Sequence, residues 1–218
     1  MGRPPTRIDF PGAVQHVVAT GDNGARIVAD DTDRAWFVER MRCASAEAGW
    51  RMQAWCLLDT HAHLLVKTPE PTLGTGMRLL LGGYSRWFNR RHGRRGQLFA
   101  ERYWSRPVLT PVHHARACMY IALNPVAAGI CVRPDAYPWV DVSDEAVLDV
   151  HLHSVPIAAA RASFASAVDG VTEEIHRGRE WRRAIAARVA GDAAHRRGRT
   201  DGDRAEPSRH VDPADKPR

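Results

Sequence analysis

The sequence contains only four cysteines, Cys43, Cys56, Cys118 and Cys131, and no two of them form a C-x-x-C pair. With no secretory apolar segment near the N-terminus, that scatter predicts reduced, mostly core cysteines in a cytosolic protein. No apolar run approaches the roughly 20 residues of a membrane span, which predicts a soluble chain. The H-E-x-x-H signature is missing and no clear carboxylate base flanks His61 and His63, so a zinc hydrolase has little support. There is no internal repeat. Acidic residues are the minority charge, 25 against 31 Lys and Arg, for a formal net charge of +6 and a pI near 9.6. That balance favours a polyanionic partner, nucleic acid first, and says nothing of the fold. The 218 residues allow one sizeable domain, alone or with a tail.

Strand and helix signals alternate over residues 1–143, which predicts a single domain there. Residues 144–190 are alanine-rich and predict a peripheral helical extension, with Trp181 a candidate anchor. Residues 191–218 are Arg, Asp, Gly and Pro with almost nothing apolar to repay ordering entropy, and predict a disordered charged tail.

Within the domain a first strand is expected over Gln15 to Ala19, then a turn at Gly21-Asp22-Asn23-Gly24. The Asp30–Asp33 cluster supplies an N-cap and first-turn acids for a helix with the apolar stripe Phe37, Met41, Ala44 and Ala48, stopped by Gly49. Arg51 to Leu58 is expected as a strand with Met52, Ala54, Cys56 and Leu58 on one face. Asp59-Thr60 turns it back as a hairpin into Leu64, Leu65 and Val66. A second helix is expected from Leu73 to His92, with Leu73, Met77, Leu80, Tyr84 and Trp87 at helical spacing. A third starts at Pro111, which suits the first helical position. On it Val112, Ala115, Met119 and Ala122 form the expected buried arc, beside a polar arc of His113, Arg116, Tyr120 and Asn124.

The chemistry concentrates in three places. His61 and His63 alternate on a strand, so their imidazoles face the same way with β-carbons roughly 6 to 7 Å apart, a metal-binding posture equally open to a hydrogen-bonded surface pair. Helices are expected on the opposite, apolar face, leaving the histidines accessible. Tyr120 and Asn124 are i, i+4 and stack on one helical face. A phenol near a polarised phosphate can attack phosphorus to form a phosphotyrosyl ester, and an amide oxygen is a suitable hard ligand for Mg²⁺ or Mn²⁺ beside two imidazoles. The plainer alternatives are a core-edge tyrosine and an Asn that stops a helix before Pro125. Between these, Ser85 to Arg106 interleaves Arg86, Arg90, Arg91, Arg94, Arg95 and Arg102 with Trp87, Phe88, Phe99, Tyr103 and Trp104. Arginines among aromatics suit a surface that grips phosphates and stacks on bases, and Arg116 adds a further candidate DNA contact.

Taken together these blocks resemble the single-tyrosine HUH transposases of small bacterial insertion sequences, in particular their relatives associated with repetitive extragenic palindromes. The matching pieces are Arg3-Pro4, Ile8 to Ala13 with His16-Val17, His61-Ala62-His63-Leu64-Leu65, Phe88 to Gly96, Leu98-Phe99 with Arg102-Tyr103, and Tyr120 to Gly129, in the family's order over residues 3–140. The resemblance implies an α+β, ferredoxin-like antiparallel sheet with helices packed on it. It implies a divalent metal ion, Mg²⁺ or Mn²⁺, held by His61, His63 and Asn124, and Tyr120 as catalytic nucleophile. The activity implied is nicking and strand transfer of single-stranded or hairpin DNA through a 5′-phosphotyrosine intermediate, in a bacterial, nucleoid-associated cytoplasmic protein, monomeric or dimeric.

The chain departs from the family pattern at Thr60, where Asn, Asp or Glu usually precedes the first histidine, at Ala62, at Thr20 before Gly21, and at Trp139-Val140-Asp141. Pro125 disfavours helical backbone at Asn124, which places that residue at a frayed helix end. The alternative function is a catalytically inactive hairpin-DNA-binding protein of the same fold with a regulatory role.

Overall fold

The computed structural model describes residues 9–100 and 102–150, and the short helical stretches 162–163, 165–169 and 172–173. Arg3 to Ile8, Glu101, Trp181 and the tail expected over 191–218 lie outside the described residues. The elements run β1 (Ala13–Thr20), α1 (Asp31–Ala48), β2 (Arg51–Leu57), β3 (His61–Thr68), α2 (Leu73–Arg91), β4 (Trp104–Val108), α3 (Pro111–Ala128), β5 (Val140–Val142) and α4 (Asp144–Val150). The strands form one sheet in the order β4-β1-β3-β2-β5, every neighbouring pair antiparallel. The first six elements are the β-α-β-β-α-β unit with sheet order 4-1-3-2, the expected ferredoxin-like α+β arrangement.

Each face of the sheet has its own core. On one face Val17, Ala19, Ala62, Leu64 and Val66 pack against Phe37, Met41 and Ala44 of α1 and Met77, Leu80 and Tyr84 of α2. On the other, Ala54, Cys56, Leu65 and Val108 pack against Ala117, Cys118 and Ile121 of α3 and Ala146 of α4. The histidine face is therefore not left bare, as the sequence suggested, but roofed by α3. Leu65 follows His63 on that same face, and α3 supplies its apolar cover through Ala117, Cys118 and Ile121.

The ends of α1 match their sequence signals. The Asp30 side chain accepts from the Asp33 backbone N–H, and Gly49 closes the helix in the left-handed conformation. Buried Asp33 accepts from the Ala29 backbone N–H at 2.7 Å and His92 Nε2 at 3.0 Å, and it also pairs with Arg91. These bonds lash the C-terminal end of α2 to the N-terminal end of α1, with the charge signs the helix dipoles favour.

Four expectations are corrected. A bulge between Met52 and Ala54 shifts the β2–β3 register, so Met52 packs with the first core while Ala54 joins the second. On α2 the fully buried position past Tyr84 is Phe88, with Trp87 only partly covered. On α3 the buried arc is His114, Ala117, Cys118 and Ile121, and Val112 is 63% exposed. The small side chains at 117 and 118 let this face, rather than the one through Ala115 and Met119, lie close on the sheet. Finally, α3 continues through Pro125 to Ala128 and ends in a Gly129 cap, where Ile130 N–H bonds the Pro125 carbonyl at 2.9 Å. Asn124 therefore sits inside a helix and not at its frayed end, because burial of Leu123, Asn124, Pro125 and Val126 offsets the missing donor.

Gly76 on α2 faces the Trp50 indole, and a β-carbon there would lie 2.1 Å from the ring. Gly76→Ala gains about 1 kcal/mol of helix propensity, yet overpacking a rigid buried ring costs typically 1–3 kcal/mol, so the variant is expected to be less stable. Its urea midpoint should fall below that of the wild type; an unchanged or raised midpoint would contradict this packing.

Candidate functional site

The site is built where β1, β3 and β4 meet the middle of α3. The β2–β3 turn that introduces His61 is held by Asp59, which pairs with Arg26 and Arg34 and whose carbonyl accepts from Ile27 N–H at 2.7 Å. Gly21, at the end of β1, donates to the Thr60 carbonyl at 2.8 Å, and a β-carbon there would lie 2.0 Å from the Ala25 carbonyl oxygen. Only glycine fits this approach, so the β1 end and the histidine turn are fixed to each other.

His61 and His63 lie with ring centroids 5.0 Å apart. The Tyr120 ring stands edge-on to His63 at 5.4 Å. Asn124 is one helical turn on; its Nδ2 donates to the Tyr120 carbonyl at 3.3 Å, and its side chain hydrogen-bonds His61. The structure thus brings His61, His63, Tyr120 and Asn124 into one cluster. Among the four tyrosines of the sequence, Tyr84 and Tyr103 are buried, the half-buried Tyr137 donates to the Leu57 carbonyl at 2.7 Å, and Tyr120 alone is exposed, at 54%.

A third histidine belongs to this cluster. His16 Nε2 lies 3.2 Å from His63 Nδ1, and the His16 ring is 5.9 Å from both Tyr120 and Trp104. Thr60 Oγ1 lies 3.0 Å from His61 Nδ1. In both strand histidines Nδ1 is thus engaged by a neighbour, a contact that orients each ring. Thr60, a departure from the family pattern, supplies the contact that steers His61. Sequence periodicity did not single out His16 because its partner is set by the β1–β3 register, in which Val18 lies opposite His63 and His16 opposite Leu65. The same register logic places Arg106 of β4 opposite His16, exposed and on the histidine face.

The candidate DNA-contact arginines do not form one surface. Arg116 is exposed on α3, whereas Arg86 and Arg90 are exposed on α2, across the sheet. Arg91 is engaged by the protein itself, paired with Asp30 and Asp33 in the α1–α2 junction. The half-buried Arg94 sits 5.7 Å from the Phe88 ring, and Arg95 and Arg102 are exposed. Of the interleaved aromatics, Phe88, Phe99 and Tyr103 belong to the first core and cannot stack on a base, while Trp104 is 53% exposed beside His16.

Burial, then the neighbouring His113, holds the His16 imidazole down to about 4. Burial, then His61 and His16, holds His63 down to about 3. His61 is lowered by burial and partly restored by its bond to Asn124. All three are neutral near pH 7, the state in which an imidazole can donate a lone pair. The unfolded chain takes up these protons near 6.5 and the folded one does not, so the stability they confer is whole above pH 6.5 and drains away towards pH 3. In chelator, the urea midpoint should fall steadily from pH 6.5 to 4, with a shallower slope in a His16→Gln/His63→Gln variant. Equal slopes would contradict the depressed values.

No protein-family model matches the sequence, and no curated protein sequence matches it significantly. Among solved structures, a REP-associated tyrosine transposase bound to a REP hairpin is similar at TM-score 0.54 and 16% identity, over 72% of this chain and 90% of that one. A putative transposase from Deinococcus radiodurans R1 aligns at TM-score 0.39 and 18% identity, over 54% of this chain and 91% of that one. The chain shares the fold of that hairpin-bound transposase structure, an antiparallel α+β sheet with helices on both faces.

Proposed function

We propose that this protein is a metal-dependent nickase and strand transferase for single-stranded DNA, a transposase working at hairpin or palindromic sites through a 5′-phosphotyrosine intermediate. The observation that carries the proposal is the placement of Tyr120: the one exposed tyrosine stands edge-on to His63, one helical turn from Asn124. The similar solved structure is of a transposase bound to a hairpin, which accords with the substrate class.

The donor set suits a hard divalent ion, Mg²⁺ or Mn²⁺. Burial holds His61 and His63 neutral, and Asn124 directs its Nδ2 to a carbonyl, which leaves the amide oxygen for the His61 side, where an ion would replace the Asn124–His61 bond. Among the described residues no trio of His, Cys, Asp or Glu could hold a metal ion, and the third ligand in this reading is the Asn124 amide oxygen. When bound, the ion polarises the scissile phosphate and stabilises the departing oxygen. Tyr120 Oη attacks phosphorus and loses its proton; the bond to the 3′ oxygen breaks, and that oxygen takes up a proton as a free 3′-OH. Attack by a 3′-OH on the phosphotyrosyl ester reverses these changes and joins strands, conserving the phosphodiester bond without ATP. His16 holds His63 in orientation, and Arg106 is the guanidinium nearest in register for the phosphate.

Labelled hairpin oligonucleotide incubated with Mn²⁺ should give a denaturant-resistant protein–DNA adduct that is absent from Tyr120→Phe. His61→Ala should lose cleavage by about 100-fold or more while hairpin affinity stays within a few-fold, since the loss falls on the reacting phosphate. An adduct surviving in Tyr120→Phe would refute the assignment of the nucleophile.

A further inference from the structure

On the layer opposite the histidines, the seam between α1 and α2 holds a depression of about 270 Å³ lined by Trp36, Arg40, Gly83, Arg86, Trp87 and Arg90. Trp36 and Trp87 stack at 4.8 Å and 19°, and Trp36 is 38% exposed. No carboxylate lines the depression. Arg91, the next residue along, shows the contrast, being engaged by Asp30 and Asp33.

Arg40 is the informative member. Its guanidinium crosses α2 over Gly83, where a β-carbon would lie 2.9 Å from Nε and Nη2. Nη2 is tethered to the Leu79 carbonyl at 3.3 Å, while the buried Nε has no acceptor. A buried donor without an acceptor is costly, and an anionic oxygen in the depression would supply one. Arg86 and Arg90, at i, i+4, project from the same side of α2 as neighbouring cations. Guanidiniums in a row beside an exposed indole fit a phosphodiester chain whose base stacks on Trp36, whereas an acidic peptide would leave the indole face unused.

We propose that this α1–α2 seam is a second nucleic-acid-binding surface, separate from the tyrosine site, that takes a single-stranded DNA segment: phosphates on Arg40, Arg86 and Arg90, a base on Trp36. The proposal rests on the DNA reading above and extends it to a face of the protein that the cleavage chemistry does not use.

The test is fluorescence anisotropy of labelled oligothymidylate, which forms no hairpin, and separately of a hairpin oligonucleotide, across a salt series. Removing two phosphate contacts in Arg86→Ala/Arg90→Ala should flatten the oligothymidylate salt slope by about 1.4, and Trp36→Ala should weaken binding roughly 5- to 100-fold. Gly83→Ala keeps every charge and favours the helix, yet displaces Arg40; it should lower oligothymidylate affinity without lowering the melting temperature. Variants that bind oligothymidylate with the wild-type affinity and salt slope overturn the proposal, as does binding of the hairpin but not oligothymidylate by the wild type. A wild-type protein that binds neither overturns the DNA reading as well, and selective capture of an acidic peptide by Arg86 and Arg90 would assign the surface to a protein partner instead.

Discussion

The seat of α3 on the histidine face of the sheet is the constraint on which the site depends. One helix has to bury Ala117, Cys118 and Ile121 in the second core and at the same time present Tyr120 and Asn124 to the strand histidines. Its roll is fixed near the N-terminal end by a buried bond of 2.8 Å between His114 Nε2 and Gln53 Oε1. Gln53 is the residue at the β2 bulge, so an irregularity in the strand becomes the socket for the helix. Pro125, whose ring is buried in the same face, holds the other end. Rotating α3 by one position would carry both Tyr120 and Asn124 away from His63 and His61 together.

Around that seat the charges are separated. The three clustered imidazoles are neutral because they are buried against one another and under α3, while the arginines stand outside, Arg106 and Arg116 on the histidine side and Arg86 and Arg90 across the sheet. A neutral, lone-pair-donating centre under a cationic periphery suits a substrate that is anionic along its length and reacts at one phosphate. The carboxylates that would spoil this arrangement are used elsewhere: Asp30 and Asp33 at the α1–α2 junction, and Asp59 beneath the histidine turn.

Much of this was legible in the sequence where a single period governs. Alternation along β3 put His61 and His63 on one face, and the i, i+4 spacing put Tyr120 above Asn124. The caps Asp30 and Gly49 and the start at Pro111 mark their helices correctly. What stayed hidden is set by pairing between distant segments. His16 joins His63 only through the β1–β3 register, and β4 carries Pro107 and Arg106 on an edge, so it has no strand signature of its own. On α3 hydrophobicity ranks Val112 above His114, whereas the bond to Gln53 decides which of the two is buried.

The central claim is that Tyr120 becomes covalently joined to DNA. Peptide mapping by mass spectrometry after reaction of the full chain with Mn²⁺ and a hairpin oligonucleotide tests it directly. The account predicts a nucleotide mass on the peptide containing Tyr120 and none on those containing Tyr84, Tyr103 or Tyr137. Cleaved or bound hairpin with no modification at Tyr120 would contradict it.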